Sequence, residues 1–166
     1  GAPPVPHLEE LEANAFAAAE RAGVRHIVYL SNFGAGVFDE DLWRAHGASE
    51  NRLCAMPAGW TILRPVRFMS HVPYGWASVR EAGKLIEPQG GRKVTMIDPR
   101  DIAAVAALAL TTPGHAGKVY ELVGEALTGA DMARDLSSAL GKSIAFVDAG
   151  EDESRAELLR SGLPAP

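Results

Sequence analysis

One cysteine in 166 residues, 16 basic residues against 21 acidic ones, and no apolar run of transmembrane length set the first limits. Cys54 by itself cannot close an intramolecular disulfide, which excludes a small disulfide-stapled scaffold. Neither a stretch of about eighteen apolar residues nor a basic-plus-apolar leader is present, so no membrane association is expected and the cytoplasm is the default compartment. The net charge of -5, with no basic run, offers nothing to attract DNA or RNA. Also missing are a GxxxxGK[ST] phosphate loop, an HExxH pair and any paired cysteines, so neither a P-loop nucleotide site nor a dedicated zinc site is expected. Residues 47–51, Gly-Ala-Ser-Glu-Asn, begin like the GxSxG nucleophile elbow but lack its second glycine and fall inside a helical pattern.

What is present is a 47% hydrophobic chain long enough for one domain. Leu8, Leu11, Ala15, Ala18 and Ala22 recur at helical spacing, and Gly23 is a natural stop. Residues 26–30, His-Ile-Val-Tyr-Leu, form a β-branched and aromatic run without polar alternation, the pattern of a strand covered on both faces of a parallel sheet. A helix is expected over residues 41–56, weakened at Gly47 by about 1 kcal/mol relative to alanine. A buried strand follows at 60–63, closed by Arg64-Pro65. Residues 66–91 are broken by Pro73, Gly75, Gly83 and Pro88 and read as a lobe of short helices and loops. Beyond them come a strand at 94–97, a helix capped by Asp98 with Pro99 at its first position and buried over 102–110, and a strand at 118–123. A helix started by Thr128 and Asp131 and stopped at Gly141, a strand at 144–147 and an amphipathic helix at 152–160 complete the order. The fold class is α/β with a mostly parallel sheet. Residues 162–166 read as a connector.

In a parallel sheet the carboxyl ends of the strands share one edge, where open α/β sheets bind ligands. One strand ends here in Ser31-Asn32, the next in Arg64-Pro65, and the helix between them carries His46 and Glu50 on one face at i, i+4. Each has a plain structural reading: Ser31 bonding its own turn, Arg64 pairing with a carboxylate, His46 and Glu50 as a surface pair worth little. Their coincidence at strand ends favours a site. His46 and Glu50 could supply two metal ligands, but no third at fitting spacing is evident, so no metal is expected. Asp98, Asp101, Thr128 and Asp131 are accounted for by helix capping, and Trp43, Trp60 and Trp76 by packing. Cys54 has no marker of a lowered pKa.

The ordered set Ala22-Gly23-Val24, residues 26–31, His46-x-x-x-Glu50, Thr61-Ile62-Leu63-Arg64-Pro65-x-x-Phe68-Met69, Asp101-Ile102-Ala103 and Tyr120-Glu121-Leu122-Val123-Gly124 resembles the NmrA-like family. These are atypical relatives of the short-chain dehydrogenase/reductases. The resemblance runs along nearly the whole chain but covers only the later part of the family's domain, the carboxyl-side strands of a doubly wound, Rossmann-type sheet. It implies one partial NAD(P)-binding domain over residues 1–166, with 66–93 and 124–166 contributing to a small substrate lobe. It further implies that Ser31 and Asn32 border the nicotinamide side of the cleft, that His46 stands where related dehydrogenases have the ribose-binding lysine, and that Pro65 and Phe68 contact or cover the nicotinamide end.

Two departures qualify what the resemblance implies. The family's opening strand and GxxGxxG turn, which receive the diphosphate at a helix amino terminus, are not in this sequence, and Gly34-Ala35-Gly36 lies after a later strand and cannot stand in. The chain is therefore expected to be a fragment that binds NADP or NAD weakly or not at all by itself, and to expose the edge of the 27–30 strand. The tyrosine found four residues before the lysine in Tyr/Lys dehydrogenases is Leu42 here, which has no proton to donate. The implied activity is hydride transfer from NAD(P)H to a quinone-like or other conjugated small-molecule acceptor that solvent can protonate, with His46 the candidate catalytic group. The alternative is a non-enzymatic NAD(P)-sensing regulator or binding module of the same fold. Homo-oligomerisation and a protein partner remain open from sequence, as do the acceptor and the choice between NADP and NAD.

Overall fold

The computed structural model describes residues 7–71, 76–150, 152, 153, 156 and 159. They fall into two compact units, one comprising the described residues up to Val66 with Ile97–Val123, the other Arg67–Met96 with the described residues from Gly124 onward.

In the first unit, α1 (Leu8–Arg21) leads through a left-handed Gly23 into β1 (His26–Leu30). Then come α2 (Asp41–Cys54), β2 (Gly59–Pro65), α4 (Pro99–Thr111) and β6 (Lys118–Leu122). The three strands form a parallel sheet in the order β1-β2-β6, with Tyr29 opposite Ile62 and Leu63 opposite Tyr120. Phe16, Tyr29, Leu53 and Ile62 form one core cluster, joined by Ile27, Met56 and Trp60, so α1 and α2 lie on the face carrying alternate residues of β1 and β2. Leu63, fully buried, faces the other way, and α4 packs on β1 and β2 through its buried Ile102 and Ala109. Asp98 caps α4 by accepting the Arg100 N–H at 2.8 Å, with Pro99 at the first position.

The second unit contains β3 (Arg67–Phe68), α3 (Trp76–Ala82), β4 (Lys84–Glu87), β5 (Val94–Ile97), β7 (Glu125–Leu127), α5 (Gly129–Leu140) and β8 (Ala145–Asp148). Two small sheets, β3-β5-β7 and the parallel pair β4-β8, enclose a core of Val79, Leu85, Met96, Met132, Ala133 and Ile144. β5 and β7 run antiparallel. Thr128 and Asp131 make a reciprocal capping box on α5, which ends at a left-handed Gly141.

Several expectations need correction. The 26–30 strand is not covered on both faces throughout: among the described residues β1 pairs with β2 alone, most of it is only half-buried, and Leu30 is exposed. The 102–110 helix is not buried all round, since Leu108 and Leu110 face outward; an alanine- and leucine-rich sequence has too little polar contrast to mark its inner stripe. The broken 66–91 stretch holds strands β3 and β4, and β7 was not foreseen, because two- to four-residue strands carry almost no period. α2 stops at Cys54 rather than 56. Of the expected last helix, Asp152, Glu153, Ala156 and Leu159 are helical; its remainder, Pro73, Gly75, the Trp76 side chain and the 162–166 connector lie outside the described residues.

Gly47 is not a weak point of its helix. An added Cβ would stand 2.7 Å from the Gly36 Cα and 2.9 Å from the Gly36 N, so the helix and the loop after β1 touch backbone to backbone. Gly36, at φ 72°, in turn donates its N–H to the Trp43 carbonyl at 3.1 Å. Helix propensity alone would make Gly47→Ala stabilising by about 1 kcal/mol; the contact reverses the sign, and a loss of about 1–3 kcal/mol is expected in urea unfolding. On α5, the Thr128 hydroxyl and backbone N–H and the Arg134 guanidinium hold the Asp131 carboxyl down to about 2. Because this value lies below that of an unfolded aspartate, the contribution is complete above about pH 4 and lost as pH falls toward about 2. Thermal melts of Asp131→Asn should show that part of the acid slope removed.

Candidate functional site

The β1-β2 ladder does not stop at the strand ends. Ser31 donates its N–H to the Leu63 carbonyl at 2.8 Å and Phe33 donates to the Pro65 carbonyl at 3.0 Å, so Ser31, Asn32 and Pro65 are fixed by continued pairing along the carboxyl edge. Onto this edge α2 projects Glu50, buried to 6% exposure. Ser31 Oγ donates to Glu50 Oε1 at 2.5 Å, Arg64 Nε donates to the same oxygen at 2.9 Å, and Arg64 Nη2 donates to Glu50 Oε2. The fork-to-fork pair with Glu50 raises the Arg64 pKa further above its ordinary value. Three elements, β1, α2 and β2, are thus tied at one buried charge.

His46 and Glu50 share α2 but not a partner. One turn before Glu50, the half-buried His46 places Nδ1 2.7 Å from the Tyr29 hydroxyl, which itself donates to Glu12 Oε1 of α1 at 2.9 Å. Ser49 Oγ donates to the other Glu12 oxygen. Burial, then the Glu12 carboxylate, push the Tyr29 phenol well above its usual range, while burial lowers His46. Tyr29, Glu12 and Ser49 were not among the expected site residues. Tyr29 looked like an ordinary apolar strand position, and Glu12 carried no signal in the sequence; only the packing of α1 on α2 brings them together.

Asn32 is half-buried and its carbonyl accepts from the Ala35 N–H. Pro65 is fully buried, and Ser31, at 5% exposure, has its hydroxyl proton committed to Glu50. Phe68 belongs to the second unit, half-buried with its ring 5.1 Å from that of His71. The loop after β1 is pinned by the Trp43 Nε1 bond to the Phe33 carbonyl, and with α2 it borders an open hollow of about 520 Å³ lined by Gly36, Val37, Phe38, Arg44 and Asn51, which the sequence did not announce. Among the described residues no group of three His, Cys, Asp or Glu side chains is placed to hold a metal, and no helix is long and apolar enough to cross a membrane. The Cys54 thiol is exposed at the helix end, its pKa raised chiefly by desolvation.

The loop after β1 and the start of α2 are not built to receive a diphosphate. A diphosphate needs backbone N–H groups at a helix amino terminus free of negative charge. The helix that follows Gly34 and Gly36 opens instead with Asp39, Glu40 and Asp41.

Replacing Arg64 strands the buried Glu50 charge. Arg64→Leu is expected to cost about 3 kcal/mol in urea unfolding, and adding Glu50→Gln should recover part of it by removing the orphaned charge. A double variant no more stable than the single one would place the loss in the packing of the Arg64 stem instead.

The NAD(P)H-binding family matches residues 2–113. The chain is 35% identical over 165 residues to an NAD(P)H azoreductase of Xenophilus azovorans, covering 98% of this chain and 57% of that protein. It is 32% identical over 152 residues to quinone oxidoreductase 2 of Escherichia coli (strain K12), covering 91% and 53%. Its fold superposes on the crystal structure of the Citrobacter sp. triphenylmethane reductase complexed with NADP(H) with a TM-score of 0.82 at 28% identity, over 99% of this chain and 60% of that one. The chain therefore spans a little over half the length of the relatives it matches.

Proposed function

The chain belongs to the NAD(P)H-binding family, and from that premise we propose that it forms the carboxyl-side, NmrA-like part of an NAD(P)H-dependent oxidoreductase that reduces quinone-like or other conjugated small molecules. The observation that carries this reading is the lock of Ser31, Glu50 and Arg64 at the carboxyl edge of β1 and β2, which holds Asn32 and His46 where an open α/β sheet receives its ligand. The azo, quinone and dye reductases among the similar proteins support the acceptor class.

In this reading Asn32 and His46 meet the nicotinamide ribose, and Ser31 and Pro65 form the buried floor that positions them. NADP or NAD in its reduced form supplies the hydride. Leu42, one turn before His46, offers no proton, so the protein's part is to orient and desolvate, and the acceptor must be one that water can protonate.

The diphosphate has no fitting cradle among the described residues, and β1 ends its sheet with an edge that no described strand pairs. Both support a segment outside this sequence that completes the nucleotide site. NADPH added to this chain and followed by fluorescence should therefore show no saturable binding at micromolar concentration; micromolar affinity would overturn the division of the site. Supplied with the completing segment, the protein should oxidise NADPH only when a quinone is added. Binding without turnover would favour a nucleotide sensor instead.

A further inference from the structure

The hydrogen bonds around Tyr29 determine which nitrogen of His46 carries a proton. A phenol has one proton to donate, and both Glu12 oxygens are occupied by hydroxyl donors, Tyr29 at 2.9 Å on Oε1 and Ser49 on Oε2, the arrangement of an acceptor-only carboxylate. The Tyr29 proton is thereby committed to Glu12. His46 Nδ1, 2.7 Å from the phenol oxygen, has an acceptor in front of it and must donate. A neutral imidazole that donates from Nδ1 carries its lone pair on Nε2. Burial, which lowers the His46 pKa, favours this neutral form. Nε2 makes no hydrogen bond to the described residues and is not sealed, since among them the only buried side-chain atoms without a partner belong to Gln89.

We propose that Glu12 and Tyr29 are positioning residues that lock His46 in its Nδ1–H tautomer, so that Nε2 is a hydrogen-bond acceptor for a sugar hydroxyl of the bound ligand. The identity of that sugar rests on the reading that His46 meets the nicotinamide ribose. The chemistry differs from that of a lysine at the same place. An ammonium group donates to the ribose and brings a charge, whereas the locked imidazole accepts from it and stays neutral. The lock also explains why Glu12, on a helix whose neighbouring glutamates are exposed, is half-buried against the sheet.

Long-range proton–nitrogen NMR spectra of the chain test the lock directly, with His46 identified by loss of its signals in His46→Asn. The expected result is a protonated, pyrrole-type Nδ1 and an unprotonated, pyridine-type Nε2. An Nε2–H tautomer, or a rapidly exchanging mixture, in the parent chain overturns the proposal with no variant needed. Tyr29→Phe removes the acceptor and Glu12→Ala frees the phenol proton for Nδ1, so each should move His46 toward the Nε2–H form. Unchanged tautomers in both folded variants would also overturn it. Nicotinamide riboside in excess then separates the lock from the ligand reading. Shifts at the Asn32 amide together with His46 Nε2 support the ribose contact, whereas no shift at His46 overturns that contact and leaves the tautomer result standing.

Discussion

A carboxylate taken out of water must be paired and fully hydrogen-bonded, and Glu50 is such a group. It lies on α2, and its partners come from the ends of the two adjacent strands, Ser31 from β1 and Arg64 from β2. Bonds from two strands to both carboxylate oxygens tie the helix to the sheet edge in register and rotation together. Everything else at the candidate site follows from that register. With Glu50 turned inward, His46 one turn earlier faces Tyr29, Gly47 meets the loop backbone, and Leu53 one turn later enters the core.

The same edge shows how apolar and polar constraints divide the work. The face of β1 and β2 carrying Tyr29 and Ile62 is sealed by α1 and α2, and that seal desolvates the Tyr29 hydroxyl. A buried hydroxyl without partners would be costly, and Glu12 and His46 remove that cost by giving it one acceptor and one donor. The close approach of Gly36 to Gly47 serves a similar end: it brings the loop after β1 down on α2 and, with the Trp43 bond to Phe33, shapes the hollow beside the helix. Ion pair, phenol network and glycine contact thus hold one helix against one strand end by three different physical means.

Much of this was legible from residue order. The bounds of α1, β1 and β2 emerged close to those observed, as did the capping signals at Asp98 and Thr128, whose chemistry is local; the expected apolar stripe of α1 did not, since Leu11, Ala15, Ala18 and Ala22 are exposed and Phe16 is the buried residue. Ser31, Glu50 and Arg64 could be brought together in advance because the carboxyl ends of neighbouring parallel strands share an edge. The short strands β3, β4 and β7 could not be read, since a few residues define no period, and the exposure of Leu108 and Leu110 was hidden in a helix apolar on all sides.

Sequence by itself determined the α/β class and the order of the main elements, because these rest on local propensity and hydrophobic period. Only the tertiary structure decided what each polar residue does. It sent His46 to Tyr29 rather than to Glu50, enlisted Glu12 from α1, and turned Gly47 from a weakness into a contact. Those outcomes depend on distances between residues far apart in the chain, set by how α1 and α2 pack on one sheet face, and no periodicity within either helix encodes them.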